Sequence, residues 1–327
     1  MVFGLYLPGM LWDVFSVKQM ISFSSPRVCA VIVAYNRSAK LRACLTHLEA
    51  QTRPLDAILV VNNASTDGTA EMVAREFPGA TRLDLPTNTG GAGGFHAGMT
   101  WAFQRGYEWL WLMDDDVLPA PDALEEAMRV SDEADVLVPL QRDGAGRLYG
   151  VTRWTTRSLE ATGEILDGKR PVCGAYTFSF AGPLLHRRVV ERVGFPRAEF
   201  FIWFDDGEYS LRALEAGVRV RAVPGAVLDH DVGGAPQERK FLGRTRLRIV
   251  PPPWKLYYGA RNTLYVLTRR RFPRRARQRM LLHFFGSQIF QAAQDAALEG
   301  DRWTRLRMRL RGVRDGVLGN LGKKELR

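Results

Sequence analysis

Cysteine is scarce in this chain of 327 residues. Cys29, Cys44 and Cys173 lie far apart in apolar surroundings, so they neither form a disulfide framework nor have the spacing of metal ligands. Three reduced, buried thiols are therefore expected. A fold held together by disulfides and a metal site built on cysteine are both excluded.

Long apolar runs are absent as well. No window holds about 18 consecutive apolar residues, so no membrane-spanning helix is predicted. Residues 1–25 are mildly apolar, but they lack a basic first segment and a cleavage site of small residues. They are interpreted as an N-terminal extension and not as a signal peptide.

Acidic residues are rare in one part of the chain only. Residues 240–327 contain 22 Lys and Arg against 5 Asp and Glu, whereas residues 1–239 contain 24 basic and 30 acidic residues. The net charge of +11 therefore belongs to the C-terminal part. A hydrophobic content of 46% and a charged content of 25% are typical of a folded protein with one large core, or with one core and an appended unit.

A strand, a polar loop and a helix follow one another twice near the start of the chain, which is typical of a sheet with parallel strands and flanking helices. Apolar runs and helical periodicity predict strands at 28–33, 57–61, 135–140, 175–181 and 218–223, and helices at 38–51, 122–130, 184–193 and 208–216. Loops or a small β excursion are predicted for 141–170.

Residues 88–98 contain five glycines. Such a segment predicts either a backbone that lies close against a ligand or tightly packed turns, with a helix following. It does not sit on the first strand-to-helix turn, so it is not a dinucleotide fingerprint. No Gly-Lys-Ser/Thr sequence follows, so it is not a phosphate loop either.

Three consecutive carboxylates follow the apolar run 109–113. Parallel α/β sheets bind ligands at the carboxyl ends of their strands, and clustered oxygen ligands favour Mg²⁺ or Mn²⁺. Because strand side chains alternate between faces, Asp114 and Asp116 are predicted to share one side while Asp115 points elsewhere. The alternative is a solvated acidic turn.

A second apolar run, 200–204, leads into Asp205 and Asp206. An apolar approach raises the pKa of a carboxyl group and suits a general base. The alternative is that one of the two simply caps the following helix. His230 ends a further apolar run, and it is either a surface residue or a ligand that completes the cation site of Asp114 and Asp116.

The composition changes after the three prolines at 251–253. Helices are predicted at 254–268 and 278–298, and arginines cluster at 269–279 and 302–311 among apolar side chains such as Trp303. A basic amphipathic segment of this kind is typical of proteins that bind an anionic membrane surface or a polyanion. The alternative is a solvated helical flank.

Taken in order, these motifs resemble those of the family-2 inverting glycosyltransferases with the GT-A nucleotide-sugar fold, and most of all the bacterial galactofuranosyl- and rhamnosyltransferases of envelope glycans. The resemblance covers residues 28–231. It rests on residues 31–37, 63–69, 88–98 and 114–116, on the Trp-Phe-Asp-Asp-x-Glu block at 203–208, and on His230. It implies an α/β fold with a Rossmann-like mixed, mostly parallel sheet flanked by helices. The GT-A domain would span residues 26–249, and a basic, mostly helical region would follow at 250–327.

The resemblance also implies roles for individual residues. A Mn²⁺ or Mg²⁺ ion would be bound by Asp114, Asp116 and His230. Asp206, with Asp205 beside it, would be the catalytic base. The acceptor would contact Trp203, Phe204 and Glu208. The donor would contact Ala34, Tyr35, Asn36, Arg37, Asn62, Asn63, Asp67, Gly91, Gly93, Asp114 and Asp115.

The implied reaction is metal-dependent, inverting transfer of galactofuranose from UDP-galactofuranose to a glycan or polyprenyl-linked acceptor in envelope polysaccharide synthesis. The enzyme would be cytoplasmic and peripheral at the inner face of the cell membrane, held to the anionic membrane surface by its basic C-terminal region, with no nucleic acid as a partner. Rhamnose transfer from dTDP-rhamnose is the alternative. More distant alternatives are a nucleotidyltransferase and a nucleic-acid-binding protein that acts through the arginine-rich tail.

Two positions depart from the family pattern. Asn62 stands where family members usually have Asp, although an amide can also meet the edge of a uracil or thymine base. Phe204 separates Trp203 from the Asp pair, whereas galactofuranosyltransferases tend to have Trp directly before it. Rhamnosyltransferases more often have Glu-Asp at this place, so the Asp pair favours galactofuranose.

Overall fold

The structure, a computed structural model, describes residues 25–144, 146, 148–149, 151–154, 159–161, 176–230, 237–241, 243–248 and 250–326. The predicted extension at 1–25, except Ser25, and the third thiol, Cys173, therefore lie outside the described residues.

The strands are β1 (Val28–Ala34), β2 (Ala57–Asn62), β3 (Thr81–Asp84), β4 (Trp109–Asp114), β5 (Val117–Pro119), β6 (Val136–Arg142), β7 (Leu148–Tyr149), β8 (Val151–Trp154), β9 (Leu159–Ala161), β10 (Tyr176–Phe178), β11 (Leu184–His186), β12 (Val220–His230), β13 (Gln237–Phe241) and β14 (Arg244–Arg248). The helices are α1 (Ser38–Glu49), α2 (Thr69–Glu76), α3 (Gly90–Gln104), α4 (Ala123–Met128), α5 (Arg187–Val193), α6 (Asp205–Glu215), α7 (Pro253–Arg269), α8 (Arg274–Leu298) and α9 (Arg302–Leu318).

The main sheet has the strand order β3-β2-β1-β4-β11-β6-β12-β5, with β7 paired to β6. Strands β3, β2, β1, β4, β6 and β12 run in one direction, and β11, β5 and β7 run against them. The predicted α/β fold with a mixed, mostly parallel sheet flanked by helices is confirmed. The β excursion predicted after residue 141 is present as a small sheet of β10, β8 and β9.

Apolar clusters cover both faces of the main sheet. Val31 and Val33 of β1 face a cluster with α3, while Ala30 and Ile32 face another with α1. A strand buried on both faces needs an uninterrupted apolar run, and the runs at 28–33 and 109–113 form β1 and β4. The reduced thiols of Cys29 and Cys44 are buried among these apolar side chains, as expected.

The glycine-rich segment is a helix, which corrects the prediction that a helix follows it. Residue 90 begins α3, and the helix packs directly against the sheet. A Cβ on Gly94 would lie 2.4 Å from Val33 Cγ1, and one on Gly98 would lie 2.4 Å from Val31 Cγ1. These two glycines therefore allow close approach of a helix to a strand, a reason for glycine that needs no ligand.

Two further strands differ from the predictions. Residues 184–186 form β11 between β4 and β6, and only Arg187–Val193 is helical. Here strand pairing on both sides outweighs the helical periodicity of the sequence. The runs at 218–223 and 227–230 are one strand, β12, whose pairing register with β6 shifts between Val223 and Val227. A bulge of this kind lets a strand bend without ending.

The C-terminal helices pack on the sheet domain and on one another. Asp295 of α8 is buried, and its carboxylate accepts hydrogen bonds from Arg309 of α9 and from Arg248 of β14. Several large apolar side chains remain exposed on α8 and α9, among them Leu282, Ile289 and Trp303. Within the described residues, no helix combines the length and the apolar character that crossing a membrane requires.

Candidate active site

The polar residues singled out in the sequence come together where neighbouring strands end. Ala34, the last residue of β1, is level with Asn62 of β2, and Val33 is level with Asp114 of β4. His230 ends β12 at the same edge of the sheet. The carboxyl edge of a parallel sheet is the usual place for a ligand, because loops diverge there and leave a crevice.

Asp114, Asp116 and His230 form a group that could hold a metal ion, since one ligand atom from each lies within 4.8 Å of the others. Gln141 fixes the imidazole. Its side-chain nitrogen donates to Ala181 O (2.6 Å), so its Oε1 must accept from His230 Nδ1 (3.0 Å). The other ring nitrogen, Nε2, then lies 3.4 Å from Asp116 Oδ1. Two carboxylates and an oriented imidazole fit a divalent ion such as Mn²⁺ or Mg²⁺.

The pKa values of the two carboxyl groups are shifted in opposite directions. Burial raises the pKa of Asp114, and the negative charge of Asp116 raises it further. Burial also works to raise the pKa of Asp116, but hydrogen bonds with His230 and Lys40 and the charge of Arg37 more than offset it, and the pKa lies below its usual range. Arg37 Nη1 and Lys40 Nζ each lie 2.9 Å from Asp116 Oδ2. Lys40 was missed in the sequence, where it is one ordinary lysine in the first turn of a helix.

Asp115 lies in the turn between β4 and β5 and does not belong to the group formed by Asp114, Asp116 and His230. Strand β4 ends at Asp114, so the alternation of strand side chains, on which the prediction for Asp115 rested, does not extend to Asp115 and Asp116. Asp115 accepts a hydrogen bond from the backbone N–H of Tyr35 (3.3 Å) and one from Arg37 Nη1 (3.3 Å). Burial raises its pKa to about 7 despite Arg37. Asp115 thus ties the end of β4 to the loop after β1.

The loop after β2 is held by side-chain amides. Asn62 Nδ2 donates to Asp84 (2.8 Å), and its Oδ1 accepts from the N–H of Ser65 (3.1 Å). Asn63 is 2% exposed; its Oδ1 accepts from the N–H of Thr89 (2.8 Å) and its Nδ2 donates to Gly90 O (2.9 Å). Asn63 therefore positions the start of α3, and Asn62 fixes the path of the loop after β2.

The rest of the predicted donor loop is built from short local hydrogen bonds. Asn36 has a left-handed φ of 52°, and its Oδ1 accepts from the N–H of Thr66 (2.7 Å). Asp67 accepts from the N–H of Ser38 (2.9 Å) and of Thr69 (3.2 Å), so it satisfies the first turns of α1 and α2. Tyr35 remains 44% exposed, and its ring is available to a flat ligand.

The glycines of α3 differ in their surroundings. A Cβ at Gly91 would meet nothing within 4 Å, whereas one at Gly93 would lie 2.4 Å from Thr89 Cβ. Gly90 has a φ of 73°, and a Cβ there would lie 1.9 Å from Phe201 O. The first turn of α3 is thus pressed against the loop that leads to the second pair of carboxylates. Gly91 alone of these three has open space beside it.

That loop has an unusual backbone. Phe201, Trp203 and Phe204 all have φ between 64° and 66°, in the left-handed region. Each such residue costs about 1–3 kcal/mol, so the surrounding structure must hold the loop in place. Directly after it, Asp205 and Asp206 begin α6. Asp205 is buried, and Asp206 accepts a hydrogen bond from the N–H of Gly207 (2.6 Å).

Burial raises the pKa of both carboxyl groups, as the apolar run predicted. The pKa of Asp205 lies well above its ordinary value because of burial and the charge of Asp206. The pKa of Asp206 is raised to about 6 by burial and by the charge of Asp114. A carboxylate with such a pKa is ionised near neutral pH and is still a competent proton acceptor.

The three residues predicted to contact the acceptor have different environments. Trp203 is 37% exposed next to the carboxylates, and Phe204 packs in an apolar cluster with Phe200 and Tyr265. Glu208 is 2% exposed and pairs with Arg197, Arg212 and Arg270. This corrects its predicted role, since a carboxylate surrounded by three guanidinium groups and closed off from solvent anchors α6 and does not face an acceptor.

The helical C-terminal region reaches the same crevice. Lys255 of α7 lies with its Nζ 6.0 Å from the ring of Trp203 and 5.6 Å from that of Trp254. Its pKa is lowered by burial and by the charge of Arg37, although Asp114 counteracts this. The sequence predicts this segment as a basic region that follows the GT-A domain. The packing of α7 brings one of its cations, Lys255, close to Asp114.

Comparisons with known proteins identify the family of the chain. Residues 29–194 match the family described as Glycosyl transferase family 2. The chain is 30% identical to galactofuranosyltransferase GlfT1 of Mycobacterium tuberculosis (strain H37Rv), a match covering 74% of this chain and 82% of that protein. It is 25% identical to the dTDP-rhamnosyl transferase RfbF of Shigella flexneri, over 75% of this chain and 81% of that one.

Solved structures share the fold. Residues 1–349 of S. aureus TarS in complex with UDP superpose with a TM-score of 0.54 at 15% identity, covering 90% of this chain and 92% of that one. A longer TarS structure, of which the chain covers 43%, gives the same TM-score. This similarity confirms the predicted GT-A fold.

The raised pKa of Asp206 predicts a pH-dependent gain of stability in Asp206→Asn. Because the folded-state pKa of about 6 exceeds the ordinary value of 3.8, the wild-type protein loses stability as the pH rises through this interval, and the amide variant does not. The variant should melt at a higher temperature than the wild type at pH 8 and at the same temperature near pH 3.5. Glu76→Gln is the control, since Arg42 and Arg75 lower the pKa of Glu76 and the amide should bring no gain at pH 8. A gain for Asp206→Asn that is equal at both pH values would contradict the assignment.

Proposed function

The chain belongs to glycosyl transferase family 2, and we propose that it transfers a sugar from a nucleotide-diphosphate donor with inversion at the anomeric carbon, aided by a divalent ion. One observation carries the proposal. The Asp114, Asp116 and His230 group lies close enough to Asp206 for the charge of Asp114 to raise the pKa of that carboxyl group. A site for the leaving diphosphate and a proton acceptor thus share one crevice.

In this proposal the donor lies along the carboxyl edge of the sheet. Tyr35 and the loop after β2, which begins at Asn62, would contact the base and ribose of the donor. The open space beside Gly91 would allow the donor to come close to the backbone of α3. Asp114, Asp116 and His230 would hold Mn²⁺ or Mg²⁺, which would neutralise charge on the leaving diphosphate. Arg37, Lys40 and Lys255 add fixed positive charge around the same place.

The acceptor hydroxyl would lie beside Asp206. As its oxygen forms a bond to the anomeric carbon, the bond from that carbon to the diphosphate oxygen breaks, and the hydroxyl proton passes to Asp206. The electron pair leaves with the nucleoside diphosphate. Attack from the face opposite the leaving group inverts the anomeric centre, and no covalent intermediate with the enzyme is needed. Trp203 offers an apolar face to the acceptor sugar.

UDP-galactofuranose is the proposed donor, from which galactofuranose is transferred, and dTDP-rhamnose is the alternative donor. The Asp205–Asp206 pair and the 30% identity to a galactofuranosyltransferase favour the former, and the relationship to a dTDP-rhamnosyl transferase keeps the latter open. The acceptor is proposed to be a growing, lipid-linked envelope glycan.

Membrane attachment is proposed to occur through α9. Trp303, Leu310 and Val317 recur at intervals of seven residues and are 73%, 61% and 51% exposed. Arg307 and Arg311 line the same surface as Trp303 and Leu310. Apolar side chains that insert between lipid headgroups, flanked by cations that attract anionic lipids, are typical of a helix lying in a membrane interface.

Replacement of the base should remove catalysis and spare binding. Asp206→Asn should lower kcat by about 10²–10⁴-fold, because the amide cannot accept the hydroxyl proton, while the affinity for UDP in the presence of Mn²⁺ stays within about threefold. Steady-state transfer assays and calorimetric titration measure the two quantities. Undiminished turnover by this variant would rule out Asp206 as the base.

One set of experiments tests both the role of the metal ion and the identity of the donor. Binding of UDP-galactofuranose and dTDP-rhamnose is titrated with Mn²⁺ and with excess chelator, for the wild type and for Asp116→Ala. Chelator should abolish transfer, and Asp116→Ala should weaken donor binding in a way that excess Mn²⁺ only partly restores, because one carboxylate ligand is lost. Activity that is indifferent to chelator would contradict the metal role, and tighter binding of dTDP-rhamnose would replace the proposed donor by the alternative.

The membrane proposal predicts salt-sensitive binding to anionic vesicles. The protein should sediment with vesicles that contain a large fraction of anionic lipid, less so as salt rises, and not with neutral vesicles. The double variant Trp303→Ser, Leu310→Ser should lose most of this binding while its melting temperature stays unchanged, because both side chains are exposed. Binding that is equal for the variant, or equal for neutral vesicles, would exclude this face of α9.

A further inference from the structure

Two fully buried polar side chains of α7, Arg261 and Asn262, contact the loop that leads to Asp205 and Asp206. The side-chain nitrogen of Asn262 lies within hydrogen-bond distance of three carbonyl oxygens, those of Phe200 (3.0 Å), Ile202 (3.0 Å) and Trp203 (2.7 Å). The two hydrogens of one NH₂ group thus face three carbonyl oxygens within residues 200–203.

Arg261 fixes the orientation of that amide. Its Nε donates to Asn262 Oδ1 (2.8 Å), so the NH₂ group of Asn262 faces the loop. Its Nη2 donates to the carbonyl oxygens of Glu199 (3.1 Å) and Phe200 (2.8 Å). A guanidinium group enclosed in the protein needs acceptors for its hydrogens, and the carbonyls of this loop supply them.

These contacts reach a strained part of the chain. Three residues of the loop, Phe201, Trp203 and Phe204, have left-handed φ angles without being glycine, which costs energy that other contacts must offset. The loop is also held by α3, where the N–H of Ala92 donates to Phe201 O (3.1 Å). The loop is therefore clamped between α3 and α7.

We propose that Asn262, oriented by Arg261, is a positioning residue for the base: it holds residues 200–204 in the left-handed path that brings Asp206 to the acceptor hydroxyl. This inference rests on the proposed role of Asp206. It makes the region 250–327 part of the catalytic unit, in addition to any attachment to a membrane. Neither side chain touches the reacting atoms, and both act through the backbone of the loop.

If Asn262 only stabilised the fold, its replacement would lower nucleotide affinity and kcat together. If it positions the base, its replacement should lower kcat and leave nucleotide affinity unchanged. The proposed donor site lies mainly at the ends of β1, β2, β4 and β12, whereas the hydrogen bonds of Asn262 go to Arg261 and to the loop before Asp205. Loss of its NH₂ group should therefore leave nucleotide affinity unchanged. A displacement of the base by about 1 Å is enough to slow a reaction by about 10²-fold.

The experiment compares Asn262→Ala and Asn262→Asp with Tyr257→Phe. The aspartate keeps the side-chain volume and the acceptor for Arg261 but has no hydrogens for the carbonyls. Tyr257 is an equally buried residue of α7 whose hydroxyl donates to Asp315 of α9 (2.7 Å). Its ring lies beside Arg261 and Phe201, and Tyr257→Phe keeps that ring and every hydrogen bond of Asn262. Each variant is assayed for UDP affinity with Mn²⁺, for kcat and for thermal unfolding, at a temperature at which circular dichroism shows it to be folded.

Both Asn262 variants should lose about 10–100-fold in kcat and keep their UDP affinity within about threefold, while Tyr257→Phe lowers the melting temperature and leaves kcat within about threefold. A kcat near that of the wild type in the folded Asn262 variants would overturn the proposal. So would an equal loss of affinity and kcat, or failure of both variants to fold, because either result would assign Asn262 to the fold as a whole. Asp206→Asn separates this from the proposed function: if that variant transfers sugar normally, the base assignment has failed, and if it is inactive while Asn262→Ala is not, only the positioning role has failed.

Discussion

The mutual repulsion of five carboxylates is the constraint on which this site depends. Asp114, Asp115, Asp116, Asp205 and Asp206 surround one crevice, and burial acts to raise the pKa of each of them. Only for Asp116 do hydrogen bonds and neighbouring cations outweigh burial and lower the pKa. The fixed cations Arg37 and Lys40 keep Asp116 ionised. A crevice that concentrates negative charge in this way favours the binding of a divalent cation and the uptake of a proton, and both are requirements of sugar transfer from a diphosphate.

Such a site needs rigid support, because carboxylates that repel one another separate if their backbone is free to move. The strand ends supply part of the support, and polar side chains away from the crevice supply the rest. Gln141 orients His230, Asn63 fixes the start of α3, and Asn262 holds the loop before Asp205. These amides are buried, and hydrogen bonds out of contact with solvent are strong and costly to lose. The carboxylates of the crevice are thus held in place largely by neutral amides that lie outside it.

Much of this could be predicted without coordinates. The family, the mixed sheet and the convergence of Asp114, Asp116 and His230 followed from motif order and from the rule that ligands bind at strand ends, and the family assignment and the fold are confirmed. The glycine segment and residues 184–186 were predicted wrongly for a shared reason. Close helix–sheet contact at Gly94 and Gly98, and pairing of β11 on both sides, are long-range interactions that outweigh the local preferences of the chain. Glu208 was assigned to the acceptor because it belongs to the family block at 203–208, yet the side chains of three arginines enclose it.

The sequence by itself determined which chemical groups are present and on which strand ends they lie, because apolar runs specify buried strands and motif order specifies the family. The tertiary structure decided which of those groups face the crevice and what holds them there. It directed Asp115 to the backbone of Tyr35, placed Lys255 beside the carboxylates, and brought Asn262 to the loop before Asp206. The physical reason is that the hydrogen bonds from Tyr35 to Asp115 and from Asn262 to Trp203 join residues 80 and 59 positions apart, so no local pattern of charge or periodicity records them.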